Sequence, residues 1–172
     1  MATAAYQKEQ AESKQWKYYS INISDDEADD IEQLQKWKKS LHDPSIVSKI
    51  IWSTYIMKPT NDLCNRVVGT EKTCGIYKIT NKLENKVYIG QSVDITNRIK
   101  THIKCGLGID TPPASANKLY RAMQQSILWY WTFEVLEKCP SNKLNEKERY
   151  WINFYQSDKI GYNATKGVIN SG

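Results

Sequence analysis

A carboxylate standing on the apolar stripe of a helix is the first sign of chemistry in this chain. Leu144, Glu148, Trp151, Ile152 and Tyr155 fall at i, i+4, i+7, i+8 and i+11 of one helical pattern, so Glu148 shares the face that packs inward. Burying an unpaired charge is costly, and such a group is ion-paired with another element, bound to a metal, or placed at the edge of a cleft. Neighbouring Glu146 points away and reads as surface. A second constellation lies earlier, where Arg98 and His102 are four residues apart and share a helix face distinct from the stripe Ile95, Ile99, Ile103. Arginine offers a planar fork that suits phosphate, and histidine takes or passes a proton near neutral pH; an exposed basic pair would look the same. A third pair is Tyr77 and Tyr88. With Ile79 and Lys86 flanking a hairpin loop, these two phenols lie opposite each other on one sheet face. Such pairs also stabilise hairpins by packing alone, while Gly75 and Gly90 at the far ends permit close approach of another backbone or ligand.

The elements that must position these groups follow from the pattern of apolar residues and breakers. Residues 1–20 are polar and non-periodic, and residues 1–22 read as a polar tail. Ser24 followed by Glu27 fits a capping box, and Ile31, Leu34, Trp37 and Leu41 continue at helical spacing until His42-Asp43-Pro44. The acidic run from Asp25 to Asp30 supplies charges to the positive helix start. A second helix is expected over about 44–57, with Ile46, Ile50 and Ile51 inward and a stop before Pro59. A short third one, from Thr60 or Asn61, carries Leu63 and Val67 to Gly69. Residues 23–70 thus read as a helical N-terminal extension whose stripes pack on the rest of the chain or on a second chain.

From Gly75 the period changes. Gly75 to Ile79 and Lys86 to Gly90 read as a hairpin, Ser92 or Asp94 caps the helix carrying Arg98, and Cys105-Gly106 ends it. A helix near 117–127, a third strand over 131–137 and a last helix over 142–155 complete an α+β domain with helices on a small antiparallel or mixed sheet. Trp129-Tyr130-Trp131 serves either as packing at the start of the third strand or as a stacking platform for unpaired bases.

The 172 residues allow one respectable core with a small accessory segment. The net charge of +5 is unevenly spread: residues 1–73 hold ten basic and eleven acidic side chains, residues 74–172 fourteen and eight. A basic C-terminal part favours polyanions, but an excess of this size is equally a solvated surface. Cys64, Cys74, Cys105 and Cys139 lack CxxC spacing and read as reduced thiols, giving no zinc ribbon or disulfide framework. The longest apolar-leaning stretch, Ile46 to Met57, is too short and too polar to span a bilayer, and the N-terminus lacks a secretion signal's apolar centre. These features point to a cytoplasmic location.

Gly75-Ile76-Tyr77, Tyr88-Ile89-Gly90, a helical arginine, a glutamate on a later helix and Gly161-Tyr162-Asn163 occur in one order. Over residues 74–167 the chain resembles the GIY-YIG nuclease superfamily. The resemblance implies a central three-stranded antiparallel sheet flanked by helices, and hydrolysis of DNA phosphodiester bonds, expected to be double-stranded, with one divalent ion, Mg²⁺ or Mn²⁺. It assigns Tyr77, Tyr88, Arg98, His102, Glu148 and Asn163 to the active site and Glu148 to the metal. Lys86, Lys100, Lys104, Lys118 and Arg121 are the expected nucleic-acid contacts. Some homing members carry a second histidine where this chain reads Ala114-Ser115-Ala116-Asn117. A nuclease for single-stranded DNA or RNA, and a binding or scaffold protein without cleavage, are the rival readings. Restriction, phage defence and mobile-element mobility all use such domains.

Overall fold

The computed structural model describes residues 14–167; residues 1–13 of the expected tail and 168–172 lie outside them. The remainder of that tail is anchored. Lys14–Tyr19 form a 3-10 helix, Trp16, Ser20 and Ile21 are buried, and Ser20 bridges Thr132 as an added antiparallel partner. Arg66 holds this segment by donating Nε to the Tyr18 carbonyl at 2.8 Å and an Nη to the Ser20 carbonyl at 2.7 Å.

Helix α1 (Asp25–Lys39) starts as its sequence dictates: Ser24 Oγ accepts from Glu27 N–H at 3.2 Å and the Glu27 carboxylate accepts from Ser24 N–H at 3.4 Å. Helix α2 (Ser45–Ile50) does not stop before Pro59. It runs through a π-helical stretch, Ile51–Ile56, into α3 (Met57–Val67). Proline has no N–H and crowds the preceding turn. The wider π turn, with Met57 N–H bonded back to the Trp52 carbonyl, carries the chain past that defect. The inward face of α2 also differs from the expected one: Val47 and, one turn on, Ile51 are buried, whereas Ile46, expected inward, is 63% exposed and Ile50 is exposed as well.

Strands β1 (Gly75–Asn81), β2 (Lys86–Ser92) and, after helices α4 (Ile95–Gly106) and α5 (Asn117–Gln124), β3 (Trp131–Lys138) form one antiparallel sheet in the order β2-β1-β3. Helices α6 (Leu144–Tyr155) and α7 (Ser157–Ile160) follow. The fold is α+β, a small three-stranded antiparallel sheet flanked by helices. One sheet face carries Tyr77, Ile79, Tyr88, Phe133 and Trp131 into a continuous apolar cluster. That cluster also holds Ile95, Ile99 and Ile103 of α4, Leu119 and Met123 of α5, and Ile21, Ile31, Ile51 and Leu63 from the N-terminal helices. The opposite face carries Ile76 and Ile89 against Leu144 and Ile152 of α6. Trp131 is fully buried and donates Nε1–H to Ser126 Oγ at 2.8 Å. Trp129 packs on the same cluster and Tyr130 meets Trp16, so the aromatic triplet packs against the core.

Candidate active site

The hairpin register differs from the expected one in a way that serves the site. Both strands extend to Asn81 and Lys86, so Tyr77 pairs with Gly90 and Ile79 with Tyr88. Tyr77 and Tyr88 therefore sit diagonally on one face, with ring centroids 6.5 Å apart. Gly90 leaves room for the Tyr77 ring: a Cβ at that position would lie 2.3 Å from the phenol Cζ and hydroxyl. Gly90→Ala is therefore expected to swing Tyr77 out of place, lowering both thermal stability and any activity that depends on the phenol; a melting curve and a Tyr77-dependent rate indistinguishable from those of the parent would contradict this. Gly75 answers a similar demand, since a Cβ there would collide with the Glu137 carbonyl across the β1–β3 pair.

Helix α4 places the next two groups. Asp94 caps it, accepting from Asn97 N–H at 3.2 Å, and the Ile95, Ile99, Ile103 stripe is buried as expected. One turn apart, Arg98 is exposed at the mouth of a cleft while His102 is buried beneath it. The Tyr77 hydroxyl lies 2.6 Å from His102 Nε2, and the Tyr120 hydroxyl, from α5, lies 2.6 Å from Nδ1. Both imidazole nitrogens are thus taken by phenols. Burial, with the nearby Arg98 charge, depresses the His102 pKa to about 3 and keeps the ring neutral.

Glu148 enters from α6, on the other side of the edge strand β2. The cleft, about 580 Å³, straddles that strand and is lined by Tyr77, Tyr88, Arg98, Gln91, Asn145 and Glu148 among others. Gln91 donates to Asn145 Oδ1 at 2.9 Å and lies near enough to the Glu148 carboxylate to favour its charged form. Burial raises the Glu148 pKa against the opposing effects of Gln91 and Arg98. Burial also pushes the Tyr77 phenol well above its ordinary value, aided by Tyr88 and opposed by Arg98, and raises Tyr88 with help from Glu148. Among the described residues no basic side chain lies within ion-pair distance of Glu148. Glu146, by contrast, pairs with Lys143 at 3.5 Å on the surface.

Two expected contributors stand elsewhere. Asn163 is buried and fully engaged by β2: its Oδ1 accepts from Ile89 N–H and its Nδ2 donates to the Ile89 carbonyl, both at 2.8 Å. It clamps the strand behind the site and does not line the cleft. Of the basic residues, Lys86, Lys118 and Arg121 share a separate groove of about 630 Å³ between the hairpin and α5. Lys104 lies on α4 over the Trp52 ring at 4.4 Å, and Lys100, on the same helix, lies close enough to Cys64 for its charge to act on that thiol. Gln91, Asn145 and Tyr120 were not singled out by the sequence. Asn145 precedes Glu148 by three residues on one helix face, which was a usable signal. Tyr120 sits between apolar neighbours and looks like core.

A half-buried carboxylate, two phenols and an arginine thus meet at one cleft beside an edge strand, with a buried imidazole behind it. Residues 73–163 match the GIY-YIG catalytic domain family, and the chain belongs to that family. It is similar to intron-associated endonuclease 1 of Enterobacteria phage T4, with 35% identity over 97 residues, covering 55% of this chain and 38% of that protein; it thus spans about two fifths of the length of this relative. Among solved structures it resembles a mutant of the catalytic domain of intron endonuclease I-TevI, at 29% identity and TM-score 0.48 over 57% of this chain and 99% of that one. It also resembles the catalytic domain of homing endonuclease I-TevI, at 30% identity and TM-score 0.46 over 54% of this chain and 98% of that one.

Proposed function

We propose that this chain is a divalent-metal-dependent endonuclease that hydrolyses double-stranded DNA, with Tyr77, Tyr88, Arg98, His102 and Glu148 as its active site. The observation that carries this reading is Glu148, a carboxylate raised in pKa by burial, facing a cleft it shares with Arg98 and two phenols. One carboxylate with open surroundings fits Mg²⁺ or Mn²⁺, which take few protein ligands and keep water and phosphate oxygens for the rest. Among the described residues no group of three or more His, Cys, Asp or Glu side chains stands together, so the site suits a single ion on Glu148, with Asn145 and Gln91 orienting its carboxylate. Such an ion would polarise the scissile phosphate and stabilise the leaving oxygen.

The chain's own residues do the remainder. Arg98 neutralises charge developing on the phosphoryl oxygens. Tyr77, once its own proton has passed to solvent and its charge is met by Arg98, takes the proton of the attacking water as a phenolate, and Tyr88 holds the phosphate or the water from the same sheet face. His102, enclosed by two phenols and absent from the cleft wall, orients Tyr77. Asn163 acts on the site only by fixing β2. Lys86, Lys118 and Arg121 supply phosphate contacts along the second groove. Of the settings open to such a domain, mobile-element mobility is supported by the names of the relatives. Four free cysteines support a cytoplasmic location, and no helix among the described residues is long and apolar enough to cross a membrane.

The deciding assay is cleavage of plasmid DNA. With Mg²⁺ or Mn²⁺ the protein is expected to nick or cut, and chelation is expected to stop it. Arg98→Ala should lose cleavage by roughly a hundredfold or more yet bind DNA nearly as well, because one contact among several adds little affinity but acts on transition-state charge. Metal-independent cutting overturns the metal role. A parallel fall in binding and cleavage would make Arg98 an ordinary phosphate contact.

A further inference from the structure

Tyr120 is the one group touching the buried His102–Tyr77 pair that the proposed reaction does not yet use. It is buried on α5, its ring centroid 5.6 Å from that of His102 and its hydroxyl 2.6 Å from Nδ1. The Cys105 thiol, on the penultimate residue of α4, is near enough to influence this phenol. Tyr120, His102 and Tyr77 thus form a hydrogen-bonded chain from the interior to the cleft, and each link can run in only one of two directions.

We propose that Tyr120 is a positioning residue that donates its O–H to His102 Nδ1, holding the imidazole in the Nε2–H tautomer so that this N–H points at the Tyr77 oxygen. This rests on the reading of Tyr77 as the base. The direction follows from the donors available. A neutral imidazole has one N–H and one lone pair, and its tautomer is set by the partner of the other nitrogen. Sulfur is a weak acceptor, so the Tyr120 proton spent on Cys105 would waste a strong donor while the better acceptor, Nδ1, lies 2.6 Å away. In the chosen direction Tyr120 O–H donates to Nδ1, Nε2–H to Tyr77, and the Tyr77 O–H is left to face the cleft. When Tyr77 gives that proton to solvent water in the cleft, the Nε2–H remains as a fixed donor to the phenolate. The reverse direction would present a bare nitrogen to the phenolate oxygen, a repulsion that would suppress the base. The other charged or titratable groups around Tyr77 are Tyr88 on β2, Arg98 on α4 and Glu148 on α6; none of them reaches Nδ1, so the tautomer depends on Tyr120.

The chain holds only two histidines, and the other, His42, is exposed. Isotope-labelled histidine in the full-length, metal-free protein therefore gives two ring signatures by NMR. His102 is expected to show a protonated Nε2 and an unprotonated Nδ1; the opposite pattern overturns the proposal and needs no variant to read. Tyr120→Phe, which keeps the ring packed beside Leu119 and Met123, should mix the tautomers and slow single-turnover plasmid cleavage at least about tenfold with DNA affinity unchanged. An unaltered ring signature in Tyr120→Phe also overturns it. If the wild-type tautomer is as stated but no substrate is cut, the proposed function fails and the tautomer assignment stands.

Discussion

Glu148→Gln protein is expected to lose DNA cleavage by roughly a thousandfold or more while keeping its fold, and to become more stable than the parent when metal is absent. The carboxylate sits on the inward stripe of α6, its pKa raised chiefly by burial. A group whose folded pKa lies above its unfolded value of about 4.3 costs nothing below that value and destabilises the fold as pH rises through the folded pKa. The stability gap between Glu148→Gln and the parent should therefore be absent near pH 3 and open above about pH 5, as read by thermal melts across pH without metal. Added Mg²⁺ or Mn²⁺ binds the folded parent only and should raise its Tm, with no rise in Glu148→Gln. Equal metal responses in the two proteins would remove Glu148 from metal binding, and retained cleavage would remove it from the reaction.

Deleting residues 1–70 is expected to give aggregated or insoluble protein. The α2–α3 segment lies along α4, with the Cys64 thiol donating to the Thr96 carbonyl at 3.8 Å and Trp52 beneath Lys104. Helix α1 ties the far end of α4: Gln35 donates to the Leu107 carbonyl and Lys38 to that of Gly108, both at 2.9 Å. Ile31, Ile51 and Leu63 share one apolar cluster with Ile99, Ile103 and Phe133, so truncation strips one wall from the core instead of releasing an appendage. Leu63→Ala alone, at a fully buried position, should cost about 2–5 kcal/mol in urea unfolding. A soluble truncation that changes from oligomer to monomer by light scattering would instead mark these helices as an assembly surface. A soluble monomer with the parent's melting point, affinity and cleavage pattern would show that residues 1–70 have neither role.

What the sequence made legible was mostly local. The capping box at Ser24, the Asp94 cap and the isoleucine stripe of α4 are short-range effects, and each formed as written. Glu148 was legible because a carboxylate among Leu144, Ile152 and Tyr155 breaks a pattern, and that break marks the cleft. Properties set by distant parts of the chain were not legible. Whether the hairpin closes through Thr80 or runs on to Asn81 depends on a turn whose Asn85 adopts φ 55°, and this decides which residue faces Tyr77. Tyr120 reads as one more apolar contact until α5 is set against α4. Lys100 and Lys104 read as free cations until α3 and Trp52 are placed beside them. Asn163 was assigned by resemblance to the site, and its two hydrogen bonds to the Ile89 backbone depend on the C-terminal segment folding back on β2.

Those two bonds have a consequence beyond the cleft. An edge strand offers unpaired N–H and C=O groups to any passing strand, and proteins that leave such a row open are prone to join edge to edge. Here the outer rim of β2 is occupied by its own chain: Tyr162 N–H takes the Val87 carbonyl at 2.9 Å, and the Asn163 amide takes both backbone groups of Ile89. At the other rim, Ser20 sits against Thr132 of β3. With these positions on both margins occupied, the three-stranded sheet offers fewer free backbone groups on which a second molecule's strand can template. The same residues that hold β2 in place behind the phenols therefore also interrupt the row that edge-to-edge pairing needs.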